Sequence, residues 1–570
     1  MILSEIVKFF CVAILLSVFQ QVSYAQRISD TLGFRNPVDI PILLSGNFGE
    51  FRSNHFHAGI DIKTYGKTGF PVYAIADGWV RRIRTEPFGY GKVLYLDHFT
   101  GHTSVYAHLS NYNDSITNFL HLAQKVLKRN EVDISPNKLR IPVTKGDLIG
   151  FTGNTGSSGG PHLHFEVRTS DTEKPLNPLL LGFKVIDDVL PSINGVLIEY
   201  FTDSVRGKVC STKRYYAKGP ASQRTVGSVV ELSDSCGISV HALDYLSGSG
   251  NSCGVYKIDL VVDGRLHYSM QLDSLDFSVG RYINAHKNYE FFKKEKSSFH
   301  RCFSMPNNKL EIYNSELNGL VSFKDNKTHT VVIKVWDAAM NLSQLTFRAK
   351  VTKSKKASLS GAHSFVKFDK ENSIEYEGCS FKIPPFRLIN DELISIEKVN
   401  MPSSSSSINS FYKIGDELIP LQNSCILSIK LDSLADFDST KLFISRYNPE
   451  NGRYYAQGGE YKDGWVRTRV KQFGIYTIDY DENEPKVNLK GGAKSIRENG
   501  EIYISITDDN SGIASYNLLV NGEFIPLYYN YKSALLEGQL EEELLLEDFL
   551  QYRIEVSDGR GNTKIKEGAF

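Results

Sequence analysis

The sequence predicts a mainly β chain, with a β-rich N-terminal domain that carries one inserted helix, followed by about three β-sandwich modules. Three observations predict it. The 570 residues are rich in aromatics (12%, with 30 Tyr and 33 Phe) and in glycine (45), a mixture that favours short strands punctuated by turns. Helical periodicity is confined to a single stretch of the N-terminal half. A strand-turn-strand pattern recurs in the C-terminal half, and the chain is too long to fold around one core.

In chain order, residues 1–25 read as a secretory signal. Lys8 precedes the 11-residue apolar run at 9–19, and Ser23-Tyr24-Ala25 supplies a small-x-small cleavage site. The run is well short of the roughly 20 residues that a spanning helix needs. The first domain is expected over 36–183, with strands at 70–83, 91–99, 103–109 and 162–168. Between them, Ile116, Phe119, Leu120, Ala123, Val126 and Leu127 fall at helical spacing, with Asp114 or Ser115 available as the N-cap. This helix belongs to an insertion over about 111–140.

From 187 onward the chain repeats itself. HALDYLSGSGNSCGVYKIDLVVDGR (241–265) parallels SITDDNSGIASYNLLVNGE (505–523), and VIKVWDAAMN (332–341) parallels RIEVSDGRGN (553–562). Each copy follows an acidic, proline-containing hinge, DDVLP (187–191) or DENEP (481–485). The pattern predicts immunoglobulin-like sandwiches over 187–352 and 481–570. A further β-rich module lies at 360–480, with an exposed serine run at 403–407. Asp244, Asp337, Asp508 and Asp558 offer carboxylates for calcium, although aspartate beside Gly and Asn also simply forms turns.

Charge is balanced at 65 basic and 65 acidic residues, which leaves no electrostatic footprint for nucleic acid or an anionic membrane. Once Cys11 leaves with the signal, Cys210, Cys236, Cys253, Cys302, Cys379 and Cys425 remain. In an exported protein these either pair or stay as buried thiols, and none has metal-ligand spacing.

The chemistry concentrates in histidine. Eight of the 14 histidines lie before residue 165, and the segments HFHAGID (55–61), VYAHL (105–109) and GGPHLHFEV (159–167) hold five of them. In His-x-His, alternation along a strand sends His162 and His164 to one face. His57 and Asp61 bracket a glycine-containing turn. Two imidazoles and a carboxylate suit a tetrahedral zinc with one open position. His55, His98 and His102 are assigned to the surface, and Glu166 to a supporting role.

These segments resemble the lysostaphin/LytM-type zinc metallopeptidases, peptidoglycan endopeptidases with a duplicated hybrid motif fold. The H-x3-D motif appears as His57 to Asp61, H-x-H as His162 to His164, and Y-x-H-L as Tyr106 to Leu109, within a stretch of roughly 45–180. The resemblance implies one Zn2+ per chain held by His57, Asp61 and His164, with His108 and His162 as the catalytic pair. It implies peptidoglycan as substrate; the signal, with no other long apolar stretch after it, implies export to the periplasm or cell surface and no membrane span after cleavage. The sandwich modules would be spacers, binding sites for wall or cell-envelope partners, or a brake on the groove. Other readings are a non-catalytic LytM-like protein that binds the wall or activates another hydrolase, and a zinc protease acting on proteins. The insertion after Leu109 departs from the family pattern; it could wall the groove or be a surface elaboration.

Overall fold

The computed structural model describes residues 32–570 apart from 137–140, 203–204, 234–235, 315–317, 322–324, 326, 353–363, 403–406 and 433–437. The expected signal at 1–25 and most of the serine run therefore lie outside the described residues. Among the described residues, no helix is long and apolar enough to cross a membrane.

The chain is mainly β. Its N-terminal part contains β1 (Leu44–Gly46), β2 (Ile60–Lys63), β3 (Pro71–Tyr73), β4 (Gly78–Thr85), β5 (Lys92–His98), β6 (His102–Ala107) and β7 (Asn111–Tyr112). After helix α1 (Asp114–Leu127) come β8 (Val132–Ile134), β9 (Pro142–Val143), β10 (Leu148–Phe151), β11 (His162–Thr169) and β12 (Pro175–Leu176). The large sheet runs β1-β2-β11-β6-β5-β4-β8, and a small one runs β3-β10-β7. The apolar run expected as one strand at 70–83 is thus split. Its first part joins the small sheet and its second the large one.

Strand β11 is the organising element. It pairs antiparallel with β2 on one side and β6 on the other, so His164 stands opposite Asp61 and Ala107. Leu163, Phe165 and Val167 are buried in the apolar core, which turns His162, His164 and Glu166 to the opposite face. Gly59, in the HAGID turn, lets the strands meet: a Cβ there would lie 2.3 Å from the Phe165 carbonyl oxygen.

Helix α1 forms where the periodicity places it, but its N-cap is Asn113, whose side chain accepts from the Ile116 N–H at 2.9 Å. Asp114 is instead the first-turn acid. The buried face is narrower than the apolar stripe: Ile116 and Leu120 are covered, whereas Val126 and Leu127 are exposed.

Three further units follow, each with two main sheets around a single apolar core. Over 192–351 a four-stranded sheet faces a six-stranded one, over 364–480 two five-stranded sheets face each other, and over 486–569 two four-stranded sheets do so. Cysteines 210, 236, 253, 302, 379 and 425 are all free thiols.

The first sandwich and the N-terminal part share residues. Phe48, Phe51 and Phe56 belong to the sandwich core, while Leu246 and Cys253 belong to the N-terminal core. The last sandwich docks on the insertion. Asn130 donates to the Tyr516 carbonyl at 2.6 Å and accepts from the Leu527 N–H at 2.8 Å, and Lys125 pairs with Glu541. The insertion is therefore a docking platform for the C-terminal sandwich.

Candidate metal centre

The structure brings His57, Asp61, His108, His162 and His164 to one place. Ligand atoms of His57, Asp61 and His164 lie within 4.8 Å of one another, all three residues being buried. Asp61 Oδ1 is 3.0 Å from His57 Nε2 and 2.9 Å from His164 Nδ1, and those two nitrogens are 3.0 Å apart. These separations approach the edge of about 3.3 Å expected for a tetrahedron with bonds of 2.0–2.1 Å. The rings of His108 and His162 stand beside the cluster, with centroids 4.9 Å apart, and His108 lies 5.8 Å from His164.

What surrounds the imidazoles decides which nitrogen faces inward. His57 Nδ1 donates to the Asn47 carbonyl at 2.8 Å, His108 Nδ1 to the Thr155 carbonyl at 2.9 Å, and His162 Nδ1 to the Gly160 carbonyl at 2.8 Å. A carbonyl only accepts, so Nδ1 holds the proton and each Nε2 keeps a lone pair for the site. His164 is held the other way round. Its Nε2 meets Glu166 Oε1 at 2.8 Å, which leaves Nδ1 facing inward. Two imidazoles and a carboxylate, His57, His164 and Asp61, turn their inward atoms to one point, a donor set that fits a borderline divalent metal.

Glu166 is fully buried and serves only to hold others. It accepts from Tyr90 Oη at 2.5 Å and from Arg168 Nε at 2.7 Å. Burial alone would raise its pKa, but the Arg168 guanidinium and the hydrogen bond from His164 outweigh burial and bring it to about 2. Burial pulls His164 down, while its hydrogen bonds to Asp61 and Glu166 lift it further, to about 9. His108 is lowered to about 3, first by burial and then by its histidine neighbours. Asp61 is held well below the usual carboxylate range despite burial, chiefly by His57 and by hydrogen bonds from the three histidines that face it.

His108 sits on a strained backbone, with φ +60° directly after β6. Its N–H donates to the Tyr90 carbonyl and its ring to Thr155, so two loops fix the residue in that conformation. Both loops are covered by the last sandwich. The Gly156 N–H donates to Tyr528 Oη at 2.9 Å, Lys532 Nζ donates to the Asn154 carbonyl at 2.7 Å, and Phe88 packs on Tyr531. The first sandwich braces the other flank. Asn47 Nδ2 donates to the Gly254 carbonyl at 2.7 Å, and Lys287 Nζ donates to the Arg52 and Ser53 carbonyls at 2.9 Å.

Sequence reasoning missed Asn47, Glu50 and Arg52. Arg52 Nη2 donates to Asp61 Oδ2 at 2.8 Å, occupying that oxygen and leaving Oδ1 to the site. Glu50 lies beside this pair with its Oε2 buried and without a partner; burial and Asp61 push it up to about 7 against the pull of Arg52. The signal was the proximity of NFGEFR (47–52) to HFHAGID. Of the three histidines assigned to the surface, His55 is exposed and His102 half-buried, but His98 is buried. It closes β5, with its Nε2 2.7 Å from Ser104 Oγ inside the sheet, where no periodicity argument would place a polar ring.

Residues 55–132 and 131–178 match the model of Peptidase family M23, and residues 363–481 match that of a Zu5-like domain. The N-terminal part is thus similar to the M23 (LytM-type) peptidases. Among its relatives, the DD-carboxypeptidase/endopeptidase Mpg of Neisseria meningitidis is 33% identical over 153 residues, covering 27% of this chain and 26% of Mpg. The peptidoglycan DD-endopeptidase ShyA of Vibrio cholerae is 31% identical over 139 residues, 23% of this chain and 26% of ShyA. The catalytic domain of lysostaphin from Staphylococcus simulans aligns with a TM-score of 0.18 and 25% identity over 24% of this chain and 90% of that domain. The chain spans about a quarter of the length of these curated relatives.

Proposed function

We propose that this protein is an exported, zinc-dependent endopeptidase that hydrolyses peptide cross-links of peptidoglycan, in the manner named for its DD-endopeptidase relatives. The observation that carries the proposal is the orientation of the imidazoles. Each has one nitrogen tied to a carbonyl or to Glu166; the other nitrogens of His57, His162 and His164 face Asp61 Oδ1, and the His108 ring stands beside those of His162 and His164. Such pre-organisation is what a catalytic metal centre requires.

In this reading His57 Nε2, Asp61 Oδ1 and His164 Nδ1 hold one Zn2+. Zinc would supply Lewis acidity and lower the pKa of a water to about 7. His108 and His162 then handle the protons. His108 donates from Nδ1 to the Thr155 carbonyl, so its Nε2 is free to accept the proton that the attacking water gives up. As the carbon–oxygen bond forms and the amide carbon–nitrogen bond breaks, that proton passes to the departing amine. The other imidazole, donating from Nε2 when protonated, faces the negative charge that develops on the carbonyl oxygen.

The test is digestion of purified peptidoglycan by the full chain beside His164→Ala, with zinc quantified and products read by mass spectrometry. About one zinc per chain and new amino termini are expected for the wild type, and neither for the variant. Wild type that binds no zinc and cuts nothing would point instead to a wall-binding protein or an activator of another hydrolase.

A further inference from the structure

The two repeated sandwiches each carry a group of three carboxylates outside the peptidase domain. Asp187, Asp244 and Asp337 offer ligand atoms within 4.8 Å of one another, and Asp481, Asp508 and Asp558 do the same. The groups occupy equivalent positions: first residue of the acidic hinge, end of the first repeat strand, and end of the strand that precedes the Asn turn. Their scaffolding is also equivalent. Asn341 N–H donates to Asp337 Oδ1 at 2.8 Å and Asn562 N–H to Asp558 Oδ1 at 2.9 Å. The same asparagines bond the other oxygen of that aspartate, and they reach back to the hinge carbonyls of Asp187 at 3.2 Å and Asp481 at 2.9 Å.

Turn formation alone does not explain the first group. Asp244 is only 2% exposed, and its Oδ1 is buried with no hydrogen-bond donor. A buried, unsatisfied carboxylate oxygen beside two other carboxylates is costly. Among the described residues, none of the six aspartates has an arginine, lysine or histidine within ion-pair distance; Lys486 pairs with Asp509 instead. Burial and the neighbouring carboxylates push Asp244 up to about 8, and burial pushes Asp337 up to about 6. The missing partner is a positive charge that accepts oxygen ligands.

We propose that the first of these groups is a calcium site, which clamps the acidic hinge at Asp187 onto the body of its sandwich. All ligands are hard oxygens, the set that calcium takes, with six to eight positions filled by carboxylates, main-chain carbonyls and water. The second group lacks the stranded oxygen, because its aspartates accept from the Ser511, Gly512 and Asn562 N–H groups. The loop that leaves Asp244 is closed by the Asp244–Cys253 backbone pair, and it holds β1 of the peptidase domain through Ser249 Oγ donating to the Leu44 carbonyl at 2.6 Å. Bound calcium would stiffen that joint.

The experiment is calcium binding to the zinc-loaded full chain, by calorimetry and by equilibrium dialysis with radiolabelled calcium, alongside Asp244→Asn. One calcium ion per chain is expected, and none after the substitution, with a dissociation constant in the range of about 0.1–1 mM typical of extracellular modules. Melting provides the folding control. Without calcium, Asp244→Asn should melt no lower than wild type, since the amide replaces a buried carboxyl oxygen that has no donor; with calcium, only the wild type should melt higher. No binding below about 1 mM, a stoichiometry that the substitution leaves unchanged, or magnesium binding as tightly as calcium would each overturn the proposal.

Discussion

The histidine centre and the aspartate hinges are both clusters of three potential ligands, yet they differ in how their remaining atoms are held. At the histidine centre every outward nitrogen has an acceptor, and Asp61 Oδ2 has Arg52, so the inward atoms are fixed in direction. At the first hinge the Asp337 oxygens are tied to Asn341, but Asp244 Oδ1 has no donor. The second hinge falls between the two. Asp481 accepts from the Ser511 N–H at 3.1 Å, and Asp508 from the Gly512 N–H at 2.7 Å. Directed imidazoles suit a small tetrahedral metal that must keep one position open for chemistry. Loosely held carboxylates suit a larger ion with flexible coordination. The contrast separates a donor set fixed in direction from donor sets left adaptable.

The largest effect that would break this comparison is at His164. His164→Ala should abolish both zinc binding and wall hydrolysis, measured by metal analysis and product release, and a variant that keeps both would remove His164 from the ligand set. Next, His108→Ala and His162→Ala should each retain zinc while kcat falls by about 10²–10³-fold, the loss seen when one transition-state donor is removed; loss of metal in either would mark it as a ligand. Glu166→Gln should weaken zinc affinity by about 10–100-fold, since the group that orients His164 is altered rather than a ligand. A competition titration with a chromogenic chelator reads that change.

Proton release sharpens the comparison further. With His164 raised to about 9 in the metal-free protein, its imidazole is charged at pH 7 and must lose a proton when metal binds. Zinc uptake at pH 7 should release about one proton, read by calorimetry in buffers of different ionisation enthalpy, and affinity should climb as pH rises toward 9. The smallest effect on chemistry is expected from Asn130→Ala. It should leave zinc affinity unchanged but cost about 1–3 kcal/mol of stability in denaturant unfolding, because it leaves the Leu527 N–H and the Tyr516 carbonyl without their buried partners.

Much of the centre was legible in the sequence because its ligands sit on regular elements. Alternation along a strand sends His162 and His164 to one face whatever lies around them, and the apolar Leu163 and Phe165 between and beyond them mark the other face as core. The α1 periodicity placed the helix within two residues of its C-terminal end, while the cap moved to Asn113 because only its side chain reaches the Ile116 N–H. The rest was illegible where partners come from far along the chain. Nothing near Asn47 says that Gly254 will clamp it, and nothing near Thr155 says that Tyr528 will cover the next residue.

The sequence by itself determined the β class, the repeat and the residues able to bind a metal, since side-chain period and donor chemistry are local properties. Only the tertiary structure decided which atoms face the metal centre and which carboxylates are stranded. Those follow from strand register, which sets His164 opposite Asp61, and from long-range contacts that supply or withhold a hydrogen-bond partner. The same residue type therefore ends as a carboxylate fixed in direction at Asp61 and as a buried carboxyl group without a counter-charge at Asp244, because one meets an arginine in the fold and the other does not.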